Sequence, residues 1–184
     1  MRILSVTPYC ISNYGAMLQA WALRSVLEKM GHSVQYLQYP YFWVRHFGWS
    51  RLLRSRSLAA LRSKLATNRQ MEIVRQEVGG WNETRPYRNP AALAADPPLA
   101  DCYLVGSDQV FHLHFLKDAF KSRHALLNFG ADSVRRVAYA ASFGCPDRLF
   151  YQIQNQLLHA IFDTLNSRYI FVGKVRKFFC IDVA

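Results

Sequence analysis

The sequence predicts an α/β fold, doubly wound around a mostly parallel sheet. Short apolar runs stop at polar loops, at residues 3–6 before Thr7-Pro8 and at 102–105 before Gly106-Ser107-Asp108-Gln109. The first run is followed by a loop, a helical stretch and a second apolar run, which is a βαβ unit and makes a parallel sheet the default. With 184 residues, 51% of them hydrophobic and 19% charged, the chain has enough length and apolar content to bury a core, and its composition excludes a disordered chain.

Taken in order, residues 3–6 read as a buried strand and 9–15 as a loop. A helix is expected over 16–30, ending at Gly31. On a helical wheel Ala16, Ala20, Leu23, Leu27 and Met30 form its buried stripe, with Arg24, Ser25, Glu28 and Lys29 on the other side. Residues 34–39 read as the second strand. Residues 41–100 form a basic insertion, helical over 50–78 and looped at Gly79-Gly80 and over 86–98. Strands are expected at 102–105, 126–129 and 136–142, and a last helix over 148–165 with Phe150, Ile153, Leu157 and Ile161 on one face.

The net charge of +11 is concentrated locally. Arg45, Arg51, Arg54, Arg56, Arg62, Lys64, Arg69 and Arg75 stand against a single acid, Glu72. Such a stretch is either a solvated helical face or a patch for a polyanion, whether nucleic acid, anionic lipid or acidic glycan. No nucleic-acid module signature accompanies it, so nucleic-acid binding rests on charge alone. Cys10, Cys102, Cys145 and Cys180 lack metal-ligand or redox-pair spacing, which predicts a reduced, cytoplasmic chain. No apolar run approaches a membrane span, so any membrane contact is expected to be peripheral, on an anionic inner face.

Ligands in open α/β sheets bind beyond the carboxyl ends of strands. Three polar loops qualify: Ser12-Asn13-Tyr14-Gly15, Gly106-Ser107-Asp108-Gln109 and Ser142-Phe143-Gly144. The first runs into a helix start, where unpaired N–H groups favour an anion; equally, Ser12 or Asn13 caps that helix. Gln19 falls within the buried stripe, where an amide needs a partner. It either holds loop backbone or reaches a ligand hydroxyl. Asp108 ends a strand and can act as a general base toward sugar hydroxyls, or cap the next segment. His112 and His114 lack a third ligand, so no metal site is expected.

Three co-linear motifs resemble the polysaccharide pyruvyl transferase family: Asn13-Tyr14-Gly15-Ala16-Met17-Leu18-Gln19-Ala20-Trp21-Ala22-Leu23, Asp101-Cys102-Tyr103-Leu104-Val105-Gly106-Ser107-Asp108-Gln109-Val110-Phe111, and Arg136-Val137-Ala138-Tyr139-Ala140-Ala141-Ser142-Phe143-Gly144. Family members usually carry Trp at Phe111 and Asn at His112. The resemblance implies a Rossmann-like lobe of a two-lobed architecture similar to the GT-B glycosyltransferases. It implies transfer of pyruvate from phosphoenolpyruvate, the donor substrate, to two sugar hydroxyls as a ketal in cell-surface polysaccharide biosynthesis, with no further cofactor. The acceptor, a sugar or lipid-linked glycan, would lie against the N-terminal lobe. The implied substrate-binding residues are Asn13, Tyr14, Gly15, Gln19, Gly106, Ser107, Gln109, Ser142, Phe143 and Gly144, with Asp108 catalytic.

Toward the end the match weakens: Ser167-Arg168-Tyr169 only partly echoes the family's pattern, and its glutamate is absent. The groups that grip phosphoenolpyruvate belong to a second lobe in the family. The expectation is therefore that residues 1–184 form one N-terminal lobe, inactive alone, whose open cleft invites a second lobe or self-association. The competing expectation is a non-catalytic glycan- or partner-binding module.

Overall fold

The computed structural model describes residues 1–9, 13–38, 57–87, 89–111, 124–142 and 169–172. Five strands form one sheet: β1 (Arg2–Ser5), β2 (Ser33–Tyr36), β3 (Cys102–Asp108), β4 (Arg135–Ala141) and β5 (Tyr169–Val172), in the order β2-β1-β3-β4-β5. Every pairing is parallel, with Ile3 opposite both Val34 and Cys102, Tyr103 opposite Arg136, and Val137 opposite Ile170. Helices α1 (Tyr14–Lys29), α2 (Leu58–Glu77) and α3 (Pro90–Ala95) complete the described elements. The α/β class expected from the sequence is the fold observed.

The sheet is apolar on both faces because helices or loops cover both. Alternation along β1 and β3 sends Ile3, Cys102 and Leu104 to the α1 side, where they meet Val34 and half-buried Leu23, Leu27 and Val137. Leu4, Tyr103 and Val105 go to the other side and pack with Leu93 of α3, Phe111 and Phe129. A third cluster joins Tyr9, Met17 and Tyr36 to Val78 and Trp81 at the end of α2. The Tyr36 hydroxyl there donates to the Ala20 carbonyl at 2.7 Å, and burial pushes its pKa above the usual tyrosine range. Thr84 N–H donates to the Tyr36 carbonyl and Tyr87 N–H to the Gln38 carbonyl, so the 82–87 segment runs beside β2 and covers that edge.

Several expectations are corrected. The anticipated stripe of α1 holds at Ala16, Ala20, Leu23 and Leu27, but it also takes in Met17, which is buried, and fails at Met30, which is 65% exposed. Arg24, expected on the solvent side, is tucked under α2. Its guanidinium donates to the Gly80 and Val78 carbonyls at 2.7 and 2.6 Å and lies 5.6 Å from the Trp81 ring centre. Two carbonyls left over at the helix end explain this, because they need donors that the helix does not supply.

The 86–98 stretch holds α3 rather than loop throughout. The Asn89 side chain caps it at Ala92 N–H, 2.8 Å, and Pro90 occupies a first-turn position that needs no N–H. Residues 126–129 are a turn rather than a strand: Leu127 has a φ of 50° and its N–H donates to the His124 carbonyl. Leu126, Leu127 and Phe129 all enter the same core, so their apolar run reflects burial without a strand's alternation. Strand β5 was not anticipated. The helix expected over 50–78 is observed as α2, its residues 50–56 lying outside the described ones, as do those of the helix expected over 148–165.

Candidate functional site

In this strand order the chain leaves β1 toward β2 on one side, while β3 lies on the other. The β1–β3 junction is therefore the topological switch point, and its carboxyl end is where such sheets bind ligands. Three features meet there. Thr7, buried just past β1, donates its hydroxyl to the Gly106 carbonyl of β3. Gln19, in the second turn of α1, donates its amide to the Ser107 hydroxyl. Asp108, half-buried, ends β3.

The expectation had placed Gly106, Ser107 and Asp108 in a loop; they are the last three residues of β3, paired with β4. The Asp108 carbonyl accepts from Ser142 N–H at 2.8 Å and from the Ser142 hydroxyl at 3.4 Å, and Phe111 N–H returns to the Ser142 carbonyl at 3.1 Å. The turn after β3 is thus fastened to the end of β4, which positions the Asp108 carboxylate. One carboxylate oxygen accepts from Gln109 N–H at 2.7 Å. Among the described residues, no cation pairs with it.

The other expected residues separate from this group. Asn13 caps α1, its side-chain oxygen accepting from Gly15 N–H at 3.0 Å and Ala16 N–H at 3.4 Å. That bond engages two of the first N–H groups of the helix, the ones an anion would use. The Tyr14 hydroxyl donates to the Gln70 side chain at 2.7 Å and ties α1 to α2. Gly15 and Gln109 are exposed. Ser12, Phe143 and Gly144, like His112 and His114, lie outside the described residues. Gln19 donates to a side chain, that of Ser107, rather than to loop backbone.

Thr7 was passed over as a strand stop, although a polar residue after a buried strand is the same signal that singled out Asp108. A groove of about 470 Å³ was not legible in the sequence either. It opens between Gln19, Leu23 and Val26 of α1 and Leu104, Ser107 and Tyr139 of the sheet. Its walls are aliphatic apart from Tyr139, and Gln19 and Ser107 form its polar end. Among the described residues, no group of three or more His, Cys, Asp or Glu is placed to hold a metal, and no helix is long and apolar enough to cross a membrane.

What the arrangement offers is a set of hydrogen-bonding groups on a fixed strand end. A serine hydroxyl has one proton and two acceptor positions. The Gln19 amide takes one acceptor position of Ser107, which leaves the Ser107 proton available to a ligand oxygen. Asp108 supplies an acceptor next to it.

The family model of the polysaccharide pyruvyl transferases matches residues 13–172. The chain belongs to the polysaccharide pyruvyl transferase family. The match spans α1 through β5 and therefore takes in Gln19, the β3 tip and Ser142. No curated protein and no solved structure matches the chain.

Proposed function

We propose that this pyruvyl transferase family chain supplies the acceptor half of a ketal-forming transfer of pyruvate from phosphoenolpyruvate to two hydroxyls of a sugar, in the making of a cell-surface glycan. The observation that carries the reading is Asp108. It is a carboxylate at the switch point, held by backbone bonds to Ser142, with no cation paired to it among the described residues, in a chain matched to the family across that strand.

The chemistry asks for a proton acceptor at the sugar. Phosphoenolpyruvate gains a proton at its methylene carbon and becomes electrophilic at the adjacent carbon. One sugar hydroxyl adds there and loses its proton. Phosphate leaves, and the second hydroxyl adds and loses its own. One of the two hydroxyl protons balances the new methyl group; the other leaves with phosphate. In this reading Asp108 takes a hydroxyl proton, and Ser107 orients a hydroxyl by donating to it. Among the described residues lining the groove there is no Lys or Arg to grip the donor's phosphate and carboxylate. That half of the site is assigned to a second lobe, as the family resemblance implies, in a GT-B-like pair. Proximity is worth several kcal/mol in such reactions, on the order of 7–11 at best, and one lobe does not provide it.

The experiment measures phosphate release from phosphoenolpyruvate with glycan acceptors, by the chain alone and with a family second lobe joined to it. The expected result is none above background for the chain alone, turnover once the lobe is joined, and a loss of about a hundredfold or more on Asp108→Asn. Robust turnover by the isolated chain overturns the division of labour, and full activity of Asp108→Asn removes Asp108 from the chemistry.

A further inference from the structure

Helix α2 turns an unusual face to solvent. Gln70 accepts from Tyr14, and Val74 packs against the cluster around Tyr9, Met17 and Trp81, so these positions mark its inward side. On the other side Leu58, Arg62, Leu65, Arg69 and Ile73 follow one another at steps of three and four, which is a single stripe along an α-helix. Leu58 is 76% exposed, and Leu65 and Ile73 are each 49% exposed. Arg62 and Arg69 are exposed between them. No acid occurs from 58 to 71, and Glu72, the first to follow, is engaged by Arg75 at 3.5 Å. The sequence just upstream adds Arg51, Arg54 and Arg56.

We infer that α2 is a membrane-surface helix: it lies along an anionic bilayer with this stripe down, Leu58, Leu65 and Ile73 at the acyl boundary and Arg62 and Arg69 on lipid phosphates. The helix cannot span, since it is not apolar enough and its inward side is packed on the protein. A helix rich in cations on a face that also carries large aliphatics fits the interface plane, where both are satisfied together. The aliphatics decide among occupants. Nucleic acid would use the arginines and leave three large aliphatics in water. A second copy docking stripe to stripe would bring arginine against arginine. An anionic lipid surface uses both kinds of residue.

The test is co-sedimentation of the full chain with vesicles of phosphatidylcholine, with and without phosphatidylglycerol. Binding is expected only to the anionic vesicles. Arg62→Gln with Arg69→Gln should weaken it about twenty-fivefold, at roughly fivefold per charge near an anionic surface. Leu58→Ser, Leu65→Ser and Ile73→Ser together should weaken it by about tenfold or more and abolish the binding that survives high salt. All of these side chains are exposed, and circular dichroism checks that the variants stay folded. Equal binding by all three proteins overturns the inference. So does wild-type binding that salt removes entirely and the serine changes leave untouched, which is simple polyanion attraction. A dimer abolished by the serine changes, with no vesicle binding, makes the stripe a self-interface and overturns it too. None of these readings depends on transfer activity.

Discussion

At Gly106 the main chain has a φ of 103°, a conformation that residues with side chains rarely adopt. A Cβ there would sit 2.0 Å from the Tyr139 carbonyl oxygen, a backbone atom of β4 that cannot rotate away. Gly106→Ala must therefore push β3 from β4 at the point where Ser107 and Asp108 are held. A loss of about 3 kcal/mol or more is expected from strain and overlap together. A urea midpoint unchanged by Gly106→Ala would show that the two strands are not locked at this step. The sequence marked Gly106 only as the start of a loop, because close approach between strands distant in the chain leaves no local pattern. Gln19 was more legible: an amide near a buried stripe requires a partner, and it has one. Which partner could not be read, since Ser107 is 88 residues away in the chain and meets it only once β3 lies beside β1.

The same contrast holds for elements. Strands β1, β3 and β4 were legible because strands covered on both faces read as nearly continuous apolar runs. The 126–129 run deceived for the same reason, since apolar content alone does not separate a strand from a buried turn. What organises that turn is Arg136 on β4, 5% exposed. Its guanidinium donates to the carbonyls of Leu127 at 3.0 Å, Phe129 at 2.8 Å, Ala131 at 3.3 Å and Val134 at 2.9 Å, and lies 5.8 Å from the Tyr103 ring centre. A turn has few internal partners for its carbonyls, and a planar fork with five donors supplies them from one side chain. Arg136→Met strands several buried acceptors and should cost about 3–5 kcal/mol. Arg136→Lys keeps the charge but not the fork, and should still lose more than half of that. If thermal melts show Arg136→Lys equal to wild type, charge rather than the fork holds the turn.

At the scale of the whole molecule, the two faces of the sheet are covered by separate apolar clusters, and the turn held by Arg136 feeds the one opposite α1. His124, 2% exposed, opens that turn beside Ala125 and Leu126. Burial disfavours its charged form and pushes its pKa down to about 3, against an ordinary value near 6.5. Above about pH 6.5 the imidazole is neutral in both the folded and the unfolded chain, and it contributes no pH dependence. Below that the unfolded chain takes up a proton that the folded chain excludes until about pH 3, so stability falls as pH falls. The slope for one such proton is about 1.4 kcal/mol per pH unit. Carboxylates add to acid loss in the lower part of this window; Asp101, for example, is held below the usual range by the Arg2 backbone N–H and guanidinium. The two contributions separate in a His124→Phe variant, which keeps an apolar ring in place and removes the titration. Urea unfolding of both proteins from pH 8 to pH 4 should give parallel curves down to about pH 6.5. Below it the wild type should fall more steeply, by up to about 1.4 kcal/mol for each pH unit. Curves that stay parallel down to pH 4 would show that His124 is protonated in the folded chain and that this core admits the charge.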